Sequence, residues 1–119
     1  MTAYRVLHLH LKQRWFEKIQ SGEKTEEYRL IKPKYIAEFM DEVCTEFCNS
    51  DKYCFNINAT FRQFDRVAFY AAYPRKDQAD RRVVFKNPVI RIGRGLEKWG
   101  APPYNVFIIS WGEKVEHGF

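Results

Sequence analysis

Leu7, Leu9 and Leu11 alternate with Val6, His8 and His10, so residues 4–11 read as a half-buried strand with the leucines inward and the histidines outward. The period then changes. Trp15, Phe16 and Ile19 fall on one side of a short helix, opposite Arg14, Glu17 and Lys18, and Gly22 supplies a left-handed residue to end it. Residues 25–30 return to alternation, with Thr25, Glu27 and Arg29 on one face and Glu26, Tyr28 and Leu30 on the other. The second set is only partly apolar, which makes this the less regular of the two strands.

Pro33 opens a longer amphipathic helix. Its apolar stripe is Ile36, Phe39, Met40, Val43 and Phe47, and its opposite face carries Glu38, Asp41, Glu42 and Glu46. Residues 49–64 hold no sustained period and read as a loop with room for one helical turn. Strands follow at Arg66–Tyr73, at Arg82–Ile92 with an interruption at Pro88, and at Val106–Val115. Pro88 cannot donate to a ladder, so it marks a bulge, a bend or an edge. Helices in the first half and strands in the second, joined by the first strand, predict an α+β domain whose sheet curls into a small β-barrel with flanking helices.

A length of 119 residues without a break in composition predicts a single domain, and 45% hydrophobic with 17% aromatic residues supplies enough large side chains for a core. No apolar run approaches the ~20 residues of a membrane span, and the first residues lack the basic and apolar blocks of a secretory signal. The expected setting is cytoplasmic, with no membrane partner. Cys44, Cys48 and Cys54 match neither a zinc knuckle nor a disulfide framework, so reduced thiols are expected. His8 and His10 are metal-ligand types, but they share one strand face without a third ligand nearby; no metal and no cofactor are called for.

Charge is distributed unevenly. Residues 1–50 balance 8 Lys/Arg against 8 Asp/Glu, whereas residues 51–100 carry 11 against 5, so the net charge of +5 lives in the second half. Such asymmetry suits a polyanionic partner, nucleic acid first. The acidic face of the Pro33 helix would repel a phosphate backbone and would sit away from it.

The densest polar chemistry is Gly22-Glu23-Lys24-Thr25-Glu26-Glu27-Tyr28-Arg29, where a helix-ending glycine leads into a charged strand. Lys24 at the bend and Glu27 and Arg29 on one strand face can converge on one small volume. Lys24 and Arg29 suit a phosphate, Arg29 bidentately, and Glu27 can accept hydrogen bonds from a base edge. The competing structural reading is an exposed ion pair worth about 0–1 kcal/mol. Downstream, Gly93-Arg94-Gly95 is no dinucleotide fingerprint, since the further glycine and following helix are missing. Trp99 either stacks a base or plugs the end of a barrel, and Ser110, interrupting Phe107-Ile108-Ile109 and Trp111, either faces a cleft or satisfies itself on backbone.

Leu7-His8-Leu9 before Lys12, the Trp15-Phe16 helix, the pattern Gly22-x-Lys24-x-x-Glu27-x-Arg29, and Trp99-Gly100-Ala101-Pro102 leading to Val106-Phe107-Ile108-Ile109 together resemble an ASCH domain, of the PUA-like superfamily. The resemblance covers nearly the whole chain. It implies a small β-barrel with flanking helices and a cleft lined by Lys24, Glu27 and Arg29, binding RNA or a nucleotide-like ligand. Relatives include ribonucleases and deacylases of acetylated cytidine. In the deacylase branch a threonine nucleophile occupies the position of Glu27, so Glu27 here removes the group that branch needs.

The reading adopted is an RNA- or nucleotide-binding domain of this type. The alternative is a hydrolase acting on RNA or a modified nucleoside, in which Lys24, deprotonated by desolvation and Arg29, serves as general base with Glu27 as its partner. A third is a protein-interaction module using the acidic helix face.

Overall fold

The leucine alternation at the start of the chain is a strand, β1 (Val6–Leu11), with Leu7, Leu9 and Leu11 buried and His8 and His10 exposed. A computed structural model describes residues 4–40, 61–72 and 81–116. After β1 come α1 (Gln13–Gln20), β2 (Glu26–Arg29), α2 (Pro33–Phe39), β3 (Arg66–Ala71), β4 (Arg82–Lys86), β5 (Val89–Arg94), a 3-10 turn (Glu97–Trp99) and β6 (Asn105–Ser110). The architecture is α+β, with two three-stranded sheets in the orders β1-β3-β4 and β2-β6-β5. Among the described residues these sheets are not closed into a barrel. The chain divides into two compact units, whose described parts are 4–27, 63–72, 81–89 and 109–116 in the first and 28–40, 61–62 and 90–108 in the second.

In the first unit, β1 pairs in parallel with β3 and β3 antiparallel with β4. Leu7 stands opposite Val67, which stands opposite Phe85; Leu9 stands opposite Phe69, which stands opposite Val83. All six are buried, each contributing about 1.5–3 kcal/mol by leaving water, and Phe16 and Ile19 of α1 join the same core. Trp111 closes it, with its ring 4.8 Å from Phe69 and 5.2 Å from Phe85. The predicted Val106–Val115 strand serves two purposes. It ends as β6 at Ser110, and residues 112–115 then run antiparallel along β4, through a bridge between Lys114 and Phe85 and bonds from Gly112 N–H to Lys86 O (2.8 Å), Lys86 N–H to Glu113 O (2.8 Å) and Val115 N–H to Val84 O (2.8 Å).

In the second unit, Ile36, Phe39 and Met40 are buried with Ile90, Val106, Phe107 and Ile108. The Phe39 and Phe107 rings meet edge to face at 5.2 Å. Four consecutive buried residues, Val106 to Ile109, mark β6 as the middle strand of its sheet, covered on both faces. The helix begun at Pro33 departs from expectation. It ends at Phe39, and Met40 is extended (φ −112°, ψ 158°) and bridges Phe61, so the Met40 side chain reaches the core from a strand-like backbone. Val43, Phe47, the acidic residues Asp41, Glu42 and Glu46, and the three cysteines lie outside the described residues.

Pro88 separates β4 from β5, which belong to different sheets, and Asn87 before it takes a left-handed φ of 52° that asparagine tolerates better than most residues. The interruption read in the sequence is thus a change of sheet.

Candidate functional site

Gly22 sits at φ +86°, where an L side chain would be strained although nothing lies within 4 Å of the place its Cβ would occupy. Its N–H donates to Ile19 O at 3.1 Å, and the N–H of Lys24 donates to Lys18 O at 2.9 Å, satisfying carbonyls that the end of α1 leaves open. Lys24 is thereby tied to the last turn of the helix. Its side chain turns inward, 1% exposed, with Nζ 4.5 Å from the centre of the Trp15 ring and 2.9 Å from Glu27 Oε1. The Glu27 side chain is 8% exposed.

Burial changes what this pair means. An exposed pair on a strand was the competing sequence reading; the charges are enclosed instead, where desolvation costs several kcal/mol per ion and roughly cancels their attraction. By contrast, Lys18 Nζ and Glu23 Oε1, 3.8 Å apart at 38% and 61% exposure, form the weak surface kind. Trp15, half-buried on α1, is the lid on the Lys24 ammonium, and it also has the Arg14 guanidinium 4.4 Å from its ring centre. The helical pattern places Trp15 on the apolar side with Phe16 and Ile19; its cationic neighbours at positions 14 and 18 are the sequence signal of this second role.

Arg29, at the end of β2, is half-buried and donates from Nη1 to the Tyr35 hydroxyl at 3.2 Å. Around the same Tyr35 ring stand the ammonium groups of Lys32 and Lys34, each 5.3 Å from its centre, with the Arg29 guanidinium at 5.6 Å. Three cations about one partly exposed aromatic ring is a composition suited to a phosphate and a base. Tyr35, Lys32 and Lys34 are not among the residues expected at the site, although Lys32-Pro33-Lys34-Tyr35 announces basic residues beside an aromatic one.

Trp99 is half-buried in the 3-10 turn, with Lys98 Nζ 5.0 Å from its ring centre, and Ser110 is the half-buried last residue of β6. Gly95, a mere turn residue by sequence, has a structural duty: a Cβ there would stand 2.5 Å from the Tyr28 ring and 2.6 Å from Ala101 Cβ. Its absence lets Tyr28 lie across the backbone and accept the Leu96 N–H at 3.0 Å.

Comparison with protein-family models, with curated proteins and with solved structures finds no match to the chain. Among the described residues, no helix is long and apolar enough to cross a membrane, and no group of three or more His, Cys, Asp or Glu residues gathers as a metal site would require.

Proposed function

We propose that this protein binds single-stranded RNA or a nucleotide-like ligand, with Arg29, Lys32 and Lys34 meeting phosphate, Tyr35 offering a ring to a base, and the Lys24–Glu27 pair supporting the turn that leads into β2. The observation that carries this reading is the gathering of three cations around Tyr35. The net charge of +5 and the resemblance of the Gly22–Arg29 pattern to ASCH domains support it, and a small curled, PUA-like barrel belongs to the same reading. Trp99, in the same unit, is its secondary contact.

Hydrolysis of RNA or of a modified nucleoside is the second reading, favoured by the enclosure of a lysine against a carboxylate at 2.9 Å, an arrangement in which a proton can pass between base and acid.

Fluorescence anisotropy with labelled oligouridine across a salt titration tests the first reading. Removing a side chain that neutralises one phosphate should flatten the dependence of log affinity on log salt by about 0.7 for a single strand, so Arg29→Ala and Lys32→Ala should each do so. Identical slopes in wild type and in the Arg29→Ala/Lys32→Ala variant would overturn it. Product release from the same oligonucleotide, followed by gel, reports on the second.

A further inference from the structure

The three cations about Tyr35 restrict the kind of phosphate that fits among them. Lys32 and Lys34 stand on either side of Pro33 and are exposed, while Arg29 and Tyr35 are half-buried, so ligand can reach all four. The two ammonium groups and the guanidinium lie within 5.6 Å of one point, the centre of the Tyr35 ring. Like charges gathered so closely repel one another. Neither lysine forms an ion pair among the described residues; Glu38, the acid of α2, stands one turn beyond Lys34 and does not bridge to it. The backbone on either side of Pro33, not a shared carboxylate, brings the two lysines together.

Tyr35 itself is fixed in place. Its ring stacks on the buried Phe39, one helical turn further on, at 5.6 Å and 19°, and its hydroxyl accepts from Arg29 Nη1 at 3.2 Å. A phenol that accepts one bond still has its own hydrogen to give, and among the described residues that hydrogen meets no acceptor. The group therefore combines three cations with a hydroxyl donor beside one of them.

A phosphodiester inside a strand carries a single negative charge over two unesterified oxygens. A phosphomonoester carries about −1.5 to −2 at pH 7 and offers three. Three cations and a hydroxyl converging on one point match the monoester in both charge and donors, and exceed what one diester can use. We infer that the Tyr35 group takes the terminal phosphate of a nucleotide, with Lys32, Lys34 and Arg29 on its oxygens and the Tyr35 hydroxyl donating to it, an assignment that rests on the function proposed above and narrows it. The recognised chemistry is a phosphomonoester, supplied by the end of a strand or by a free mononucleotide.

Isothermal titration calorimetry with four oligouridines of one length tests this: 5′-phosphorylated, 3′-phosphorylated, 5′-methylphosphate and unphosphorylated, alongside uridine 5′-monophosphate. A terminally phosphorylated strand is expected to bind about tenfold or more tightly than both the methylphosphate and the unphosphorylated strand, as one added charge-assisted hydrogen bond supplies. Lys34→Ala and Tyr35→Phe should each shrink that ratio, and because a ratio is read, a general loss of affinity does not imitate the effect. Mononucleotide binding as tight as that of the phosphorylated strand assigns the free nucleotide, and weaker binding assigns the strand end; either supports the inference. Equal affinity for all four strands would overturn it and leave the proposed RNA binding standing. An unchanged ratio in Lys34→Ala/Tyr35→Phe would overturn the placement of the phosphate at Tyr35. Absence of binding by every strand and by the mononucleotide would overturn both this inference and the function on which it rests.

Discussion

Replacing Glu27 by leucine strips the Lys24 ammonium of its carboxylate while leaving it 1% exposed under Trp15. At 2.9 Å and an effective dielectric of about 20 the pair attracts by about 6 kcal/mol, most of which is offset by the cost of taking both ions out of water. The net worth of the intact pair is therefore small, yet the single substitution keeps the cost of one buried ion and loses the compensation that Glu27 supplies. The expected destabilisation is about 3–5 kcal/mol for Glu27→Leu and likewise for Lys24→Met. The double variant Lys24→Met/Glu27→Leu should return to within about 1 kcal/mol of wild type, or exceed it, because volume is retained and no ion remains inside. Urea unfolding at pH 7, followed by far-ultraviolet circular dichroism and checked for constant m, gives all four corners of the cycle. A Glu27→Leu variant within about 1 kcal/mol of wild type would show that water reaches the pair; a double variant as unstable as either single would show that packing, not charge, dominates. The result also sets the design of binding experiments, since Lys24→Ala alone would confuse weakened ligand binding with unfolding.

Phe39, fully buried against Phe107, should lose about 3–5 kcal/mol on substitution by alanine, read by urea unfolding. Gly95→Ala drives a methyl group into Tyr28 and Ala101 and should cost about 1–3 kcal/mol, with Tyr28→Ala in the same background removing part of the penalty. Tyr70 favours the fold while protonated, since burial raises its pKa in the folded state; that contribution is full below the unfolded value near 10 and is lost as pH rises through the higher folded value, so Tyr70→Phe should flatten the alkaline decline in stability. Acetylated cytidine should not be deacetylated through Thr25, whose place two residues before Glu27 on an extended chain displaces its hydroxyl by about 6–7 Å; turnover followed by chromatography and abolished by Thr25→Ala alone would contradict this.

What the sequence made legible depended on whether one residue's surroundings were local. The leucines of β1 announced their face because strand geometry alone puts alternate residues on one side, and Gly22 announced a helix end because its conformation is its own. Lys24 and Glu27 were legible as a pair but not as a buried one: whether charges are enclosed depends on Trp15 arriving from α1, and carboxylates are rarely buried. Met40 carried the helical period, yet a backbone bridge to Phe61, distant in the chain, set its conformation. Tyr28 and Gly95 were invisible as partners for the same reason. Tyr35 lay in plain view between basic neighbours; its significance came only with the side-chain geometry that draws Arg29 to it.

The segment that follows β6 has a consequence for the protein in concentrated solution. A strand at the margin of a sheet presents a row of unused N–H and C=O groups that can template pairing with another molecule, and β4 occupies such a margin in the order β1-β3-β4. Residues 112–115 occupy that side of β4, taking up the main-chain groups of Val84 and Lys86. The stretch being covered contains Val83, Val84 and Phe85 in succession, β-prone residues between Arg82 and Lys86, whose main chain would pair with another strand if bare. A few residues of irregular chain thus act as a guard against self-association, and proteolytic nicking near Gly112 would convert a covered edge into an adhesive one.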